Sequence, residues 1–212
     1  MLVLVALLHA LLHLIPWVLI PFIWWIFTAR RQSKFLPWIG LKKPVLDWNP
    51  AIVTAGAVIV MIVLSRLLLL PLLLPADLGT VQLPYVGMGF VILPALLVRD
   101  MIQTGLGEEL FFRGFLFGRL TEKLGSKAGN VVQAVAFGLV HGLPLFSLAW
   151  LTDALTVWVV VGTLSAAVVT GIAGWLLGYM TEKAAGGSIV PAVLAHGIAN
   201  FAISAGYAFD LL

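Results

Sequence analysis

Apolar residues run along this chain in long blocks, separated by short clusters of charge, proline and glycine. A helix needs roughly 20 apolar residues to cross the hydrocarbon core of a bilayer, so the blocks predict membrane-spanning helices. The first covers residues 3–28, with Pro16 and Pro21 expected to kink it. A basic loop follows, holding Arg30, Arg31, Lys34, Lys42 and Lys43, and then a second block over 51–74 that carries Arg66. The segment Pro75 to Gly89 reads as a short connection. A long stretch over 88–120 encloses the octapeptide G-E-E-L-F-F-R-G, and a polar loop with Glu122, Lys123, Ser126 and Lys127 ends it. Further spans are predicted over 128–142, broken at Gly142 and Pro144, over 154–180, and over 188–209.

Composition strengthens this reading. The 212 residues are 62% hydrophobic and 10% charged, with a mean hydropathy of +1.12. Soluble domains carry about 25% charged residues, so lipid is the solvent for most of this surface. The expected fold is all-α, a polytopic transmembrane bundle of about six spans (range six to eight). It forms one membrane domain, with residues 1–87 as N-terminal helices joined by the basic loop and 88–212 as the core. Lysine and arginine concentrate on the cytoplasmic side of membrane proteins. The loops at 29–50, 119–127 and 181–187 hold such residues, whereas those at 75–87 and 142–153 hold none. The two groups alternate if 88–120 is one bent span, which gives six crossings with both termini outside. A turn at Arg99–Asp100 gives seven.

Charge and cysteine content exclude other classes. The chain has no cysteine, which removes disulfides, thiolate metal sites and a cysteine nucleophile. No basic run with interleaved aromatics suggests nucleic acid. Residues 2–28 are too long for a signal-peptide core. The expected partner is membrane lipid, and the expected location is multi-pass in the plasma membrane of a prokaryote.

Ionisable groups at membrane depth are costly, about 2.5–3.5 kcal/mol each on insertion scales, and they mark functional sites. Glu109 and Arg113 are four residues apart, stacked on one helix face as an ion pair. Glu108 is rotated about 100° from Glu109 and has no partner in its own helix. It needs a partner on another helix, a metal or a proton. His196 and Asn200 share one face of the last span, and Phe137 and His141 share one face of another. Inward-facing polar groups on different helices are how bundles build sites, so Glu, His, His and Asn are candidates to converge.

The segments E-E-L-F-F-R (108–113), F-G-L-V-H (137–141) and H-G-I-A-N (196–200) fit, in order and spacing, the motifs EExxxR, FxxxH and HxxxN. The chain thereby resembles the CPBP family, the CAAX prenyl endopeptidases and bacteriocin-processing proteases also called the Abi domain, over residues 88–205. The resemblance implies peptide hydrolysis within the membrane, on a prenylated CAAX protein or another membrane peptide. It implies that Glu108 activates a water with the help of His141. His196 and Asn200 would stabilise the oxyanion, with Glu109, Arg113 and Phe137 in support.

Metal dependence stays open at this stage. The family carries the label metalloprotease, and Glu108, His141 and His196 resemble a three-ligand zinc set. However, H-E-x-x-H is absent. The expected cofactor is therefore none or zinc, with the metal-free glutamate mechanism preferred. No Gly-x-Ser-x-Gly setting suggests a serine protease, and no Gly-x-Gly-Asp an aspartyl one. His9 and His13 are discounted as a metal pair, and Arg66 is expected to snorkel or pair in the bundle. Asp153, Asp210, Trp17, Trp24, Trp25, Trp38 and Trp48 are read as interfacial. Gly105, Gly107, Gly114, Gly138 and Gly142 either leave room for a water-filled cavity or serve close helix packing. The alternatives to a protease are a non-catalytic immunity factor or scaffold of the same fold, and a transporter or proton relay.

Overall fold

The computed structural model describes residues 1–73 and 85–211; most of the predicted connection 75–89 lies outside them. The described chain is 83% helical and has no strand, so the protein is an all-α bundle. In lipid every backbone polar group must be satisfied within the segment, and the helix is the open-chain solution.

The first helix, α1, is Leu2–Thr28 and keeps Pro16 and Pro21 inside it. A short helix, α2 (Phe35–Trp38), lies in the basic loop. The second long helix, α3 (Trp48–Leu64), continues through a π-type stretch, Ser65–Leu69, that contains Arg66. The charged segment is one continuous helical run over 93–124, here α4, and at about 1.5 Å per residue it exceeds the roughly 30 Å hydrocarbon core. Its hydrogen bonding widens to the π type over Arg99–Leu106 and again over Leu110–Phe117, on either side of Gly107–Glu109. Such widened turns recur at functional sites because they re-aim side chains within a helix. Gly125, at φ +77°, reverses the chain into α5 (Ser126–Leu151). Then follow α6 (Val157–Tyr179), whose Thr156 hydroxyl accepts from Val159 N–H at 3.2 Å, and α7 (Val190–Ala208).

Five of these helices are long and apolar enough to cross a membrane; α4, with its charged segment, is not among them and packs between α1 and α7. Arg99–Asp100 is no turn; it lies inside the helix. The predicted break at Gly142 and Pro144 is likewise absent, because α5 runs through both. Proline is tolerated inside membrane helices, where neighbouring helices, side chains or local adjustments can satisfy the freed backbone group. Gly142 lets α5 approach α6: a Cβ there would sit 2.8 Å from Ala167 Cβ and 3.0 Å from the Thr163 carbonyl.

The loops sort into two ends. Asp47 N–H donates to Ala184 O at 2.9 Å, Ile189 N–H to Gly40 O at 3.0 Å, and Ser188 Oγ to Lys42 O at 2.7 Å. Ser126 Oγ donates to Glu182. The three basic loops therefore meet at one end of the bundle. At the other end Gly87 N–H donates to Tyr207 O, Phe90 packs edge-on against Phe209, and Ala6 joins Ile92, Leu96 and Ala208. Ala6 and Phe209, near the two ends of the described chain, both lie at this second end.

Trp17 departs from the interfacial reading. It packs edge-on against Phe111 at 5.2 Å and beside Phe112 at 6.0 Å, so it fastens α1 to α4 within the bundle.

Candidate active site

Glu108 and Glu109 lie on the single α-type turn between the two π-type stretches of α4, and they face different partners. The Glu109 and Arg113 side chains are both completely buried, with Oε1 and Nη1 2.9 Å apart. The same Glu109 Oε1 lies 2.9 Å from His196 Nδ1 on α7. The spacing-based ion pair is therefore present, but it has a third member from another helix. The Arg113 guanidinium also lies over the Phe137 ring, 4.2 Å from its centroid. Phe137 in turn sits against the rings of His141 and His196, at 4.4 and 5.9 Å. A buried cation over an aromatic face gains electrostatic attraction without a competing hydration shell, so Phe137 holds the arginine and both imidazoles in register.

Glu108 Oε2 is buried and has no hydrogen-bond partner. It lies 3.6 Å from His141 Nε2 and 3.9 Å from His196 Nε2. The outer nitrogen of each ring is already engaged. His141 Nδ1 lies 2.7 Å from the Phe137 carbonyl, so it carries a proton and donates it. His196 Nδ1 meets Glu109. Both Nε2 atoms are thus left to face one carboxylate oxygen, a spacing a bridging water fits.

Asn200, one turn after His196, donates from Nδ2 to Thr104 Oγ1 at 3.2 Å. The Thr104 hydroxyl donates to Asp100 O at 2.8 Å, so its oxygen can only accept, and this fixes the amide nitrogen of Asn200 toward it. A further turn along, Ser204 Oγ meets Arg99, whose Nε also donates to the buried Asp100 at 2.8 Å. His196, Asn200 and Ser204 on α7 therefore pair in antiparallel order with Glu109, Thr104 and Arg99 on α4. Sequence reasoning missed Thr104, Asp100 and Ser204. The i+4 series 196, 200, 204 carried a signal for the serine alone.

Close approach of α4 and α7 makes this ladder possible. A Cβ on Gly105 would lie 3.1 Å from the Val193 carbonyl and 3.2 Å from Gly197 Cα. Gly114 abuts the Ile39 carbonyl of the basic loop, and Gly138 the Ala167 carbonyl of α6. These glycines serve backbone packing.

Among the described residues no three His, Asp or Glu side chains form a group suited to a metal ion. Glu108, His141 and His196 meet only through the contacts of 3.6 and 3.9 Å to Glu108 Oε2.

A family model described as type II CAAX prenyl endopeptidase, Rce1-like, matches residues 90–202. That interval begins just before α4 and contains every residue of the ladder except Ser204. No curated protein and no solved structure matches the chain significantly.

Proposed function

The chain belongs to the Rce1-like family of type II CAAX prenyl endopeptidases, and from that premise we propose that it hydrolyses a peptide bond of a membrane-associated substrate, with Glu108 as the general base. The observation that carries the proposal is Glu108 Oε2, buried, without a hydrogen-bond partner, and faced by two imidazole nitrogens.

Glu108 takes a proton from a water held between its carboxylate and His141 Nε2. The hydroxide oxygen adds to the scissile carbonyl carbon, and the carbonyl electrons move onto oxygen. His196 in its imidazolium form balances the local charge: two carboxylates, Glu108 and Glu109, against the cations Arg113 and His196. Its Nδ1–H then serves Glu109, and its Nε2–H is available to the oxyanion. Asn200 has a second amide hydrogen for the same purpose. When the carbon–nitrogen bond breaks, the proton on Glu108 passes to the leaving amine and the acid product departs. A positioned base contributes about 10²–10⁴-fold, and one oxyanion donor about 10²–10³-fold.

Arg113 and Phe137 act at one remove. Glu109 keeps His196 oriented and charged, and Arg113 neutralises the excess negative charge that Glu109 would otherwise leave in the bundle. A binding protein has no need of an unpartnered carboxylate at this depth, which weighs against the non-catalytic reading.

The test is cleavage of a farnesylated CAAX peptide by the purified chain and by Glu108→Gln, with zinc quantified in both. Loss of cleavage in the variant at unchanged fold supports the assignment, and full activity in the variant overturns it. Stoichiometric zinc lost on histidine substitution replaces the metal-free chemistry with a metal-dependent one. A wild type that cleaves other membrane peptides but not this one moves the substrate class away from prenylated proteins.

A further inference from the structure

A cavity of about 410 Å³ opens at the basic-loop end of the bundle, between the end of α1, the α2 loop and the last turns of α4. Its walls include Trp24, Gln32, Trp38, Arg119, Glu122 and Lys123. The candidate active site lies elsewhere on α4, and the reaction above uses none of these residues. The Arg119 guanidinium lies over Trp38, 4.3 Å from the ring centroid, and pairs with Glu122 at 3.0 Å. Its Nε is buried and has no hydrogen-bond partner. The Glu122 carboxylate is 61% exposed, so water competes for it and the pair contributes little stability. The guanidinium is thus pre-oriented by an indole but lacks a buried acceptor, while Lys123 and the Gln32 amide supply further donors on the same wall.

We propose that this cavity binds a phosphate group, supplied by an anionic lipid headgroup at the membrane surface or by the free ion. Arginine offers a planar fork of donors matched to phosphate oxygens. Basic pockets between transmembrane helices, at the end where lysine and arginine gather, are suited to anionic headgroups. Two indoles in its lining, Trp24 and Trp38, fit the glycerol and acyl-ester level of a lipid, and the volume lies in the range of small-molecule sites. Glu122 swings to solvent as the phosphate takes its place on Arg119. The lipid is the source favoured by the indole walls.

The test uses the full chain in uncharged detergent, titrated separately with dioctanoyl phosphatidylglycerol, inorganic phosphate and dioctanoylglycerol, and followed by the shift in thermal unfolding. Phosphatidylglycerol is expected to stabilise the protein saturably. Its affinity should fall about tenfold in Arg119→Gln, the scale of one charge-assisted hydrogen bond, and several-fold in the exposed Lys123→Gln. It should be unchanged in Lys43→Gln, which removes an equal charge from the same loop end but outside the cavity. Tighter binding of the lipid than of inorganic phosphate assigns the headgroup, and equal binding assigns the free ion; both uphold the phosphate site. Equal stabilisation by dioctanoylglycerol, no saturable binding of either phosphate, or the same loss in Lys43→Gln as in Lys123→Gln overturns it. Should Arg119→Gln fail to fold, the lysine pair of variants decides alone.

Discussion

Replacing Arg113 with methionine exposes the energetics of the centre most directly. Both members of the Glu109–Arg113 pair are completely buried, 2.9 Å apart. Removing one partner of a buried ion pair costs about 3–5 kcal/mol, because the other charge is stranded. His196 Nδ1 contacts the same Glu109 oxygen at 2.9 Å and keeps part of the charge compensated. Loss of the guanidinium from the Phe137 face, 4.2 Å away, removes a desolvated cation–π contact of about 2 kcal/mol. The expected destabilisation for Arg113→Met is therefore about 3–5 kcal/mol, a large fraction of the roughly 5–15 kcal/mol that holds a typical domain together. Glu109→Gln should lose a similar amount. The double variant should lose distinctly less than the sum, with a coupling of about 2 kcal/mol or more, as close charged pairs show. Reversible unfolding in mixed micelles, by denaturing detergent titration with circular dichroism, measures all four corners of the cycle. Single losses under about 1 kcal/mol that add without coupling would refute the reasoning.

Other substitutions separate chemistry from scaffold. Glu108→Gln should leave unfolding unchanged or shifted toward greater stability, since Oε2 has no hydrogen bond to lose and the burial cost of a carboxylate is relieved, while cleavage falls about 10²–10⁴-fold; the two are read by melting and by a peptide assay on one preparation. Asn200→Ala should lower kcat about 10²–10³-fold with KM little changed, whereas Thr104→Val, which removes the hydroxyl that accepts from the Asn200 amide and donates to Asp100 O, should produce a smaller loss of the same kind. Gly114→Ala places a Cβ against the rigid Ile39 carbonyl and should cost about 1–3 kcal/mol of overpacking, detected as a lower melting temperature and faster proteolysis of the 35–45 loop.

Much of this protein could be read from residue order alone. Hydrophobic blocks of spanning length determined the all-α membrane bundle, because lipid leaves a chain few other ways to satisfy its backbone. Helical spacing determined that Glu109 and Arg113 pair and that Glu108 must look to another helix, since 100° per residue follows from backbone geometry alone. The three motifs located the family. Tertiary structure decided the rest. That His196 leans on Glu109 as well as facing Glu108 depends on the depth at which α7 crosses α4, which no local pattern encodes. The roles of Thr104, Asp100 and Ser204 depend on the antiparallel register of those two helices, held by the contact of Gly105 with Gly197. The uninterrupted course of α5 through Gly142 and Pro144 was also a tertiary outcome: local preference favours a break there, and packing against α6 outweighs it.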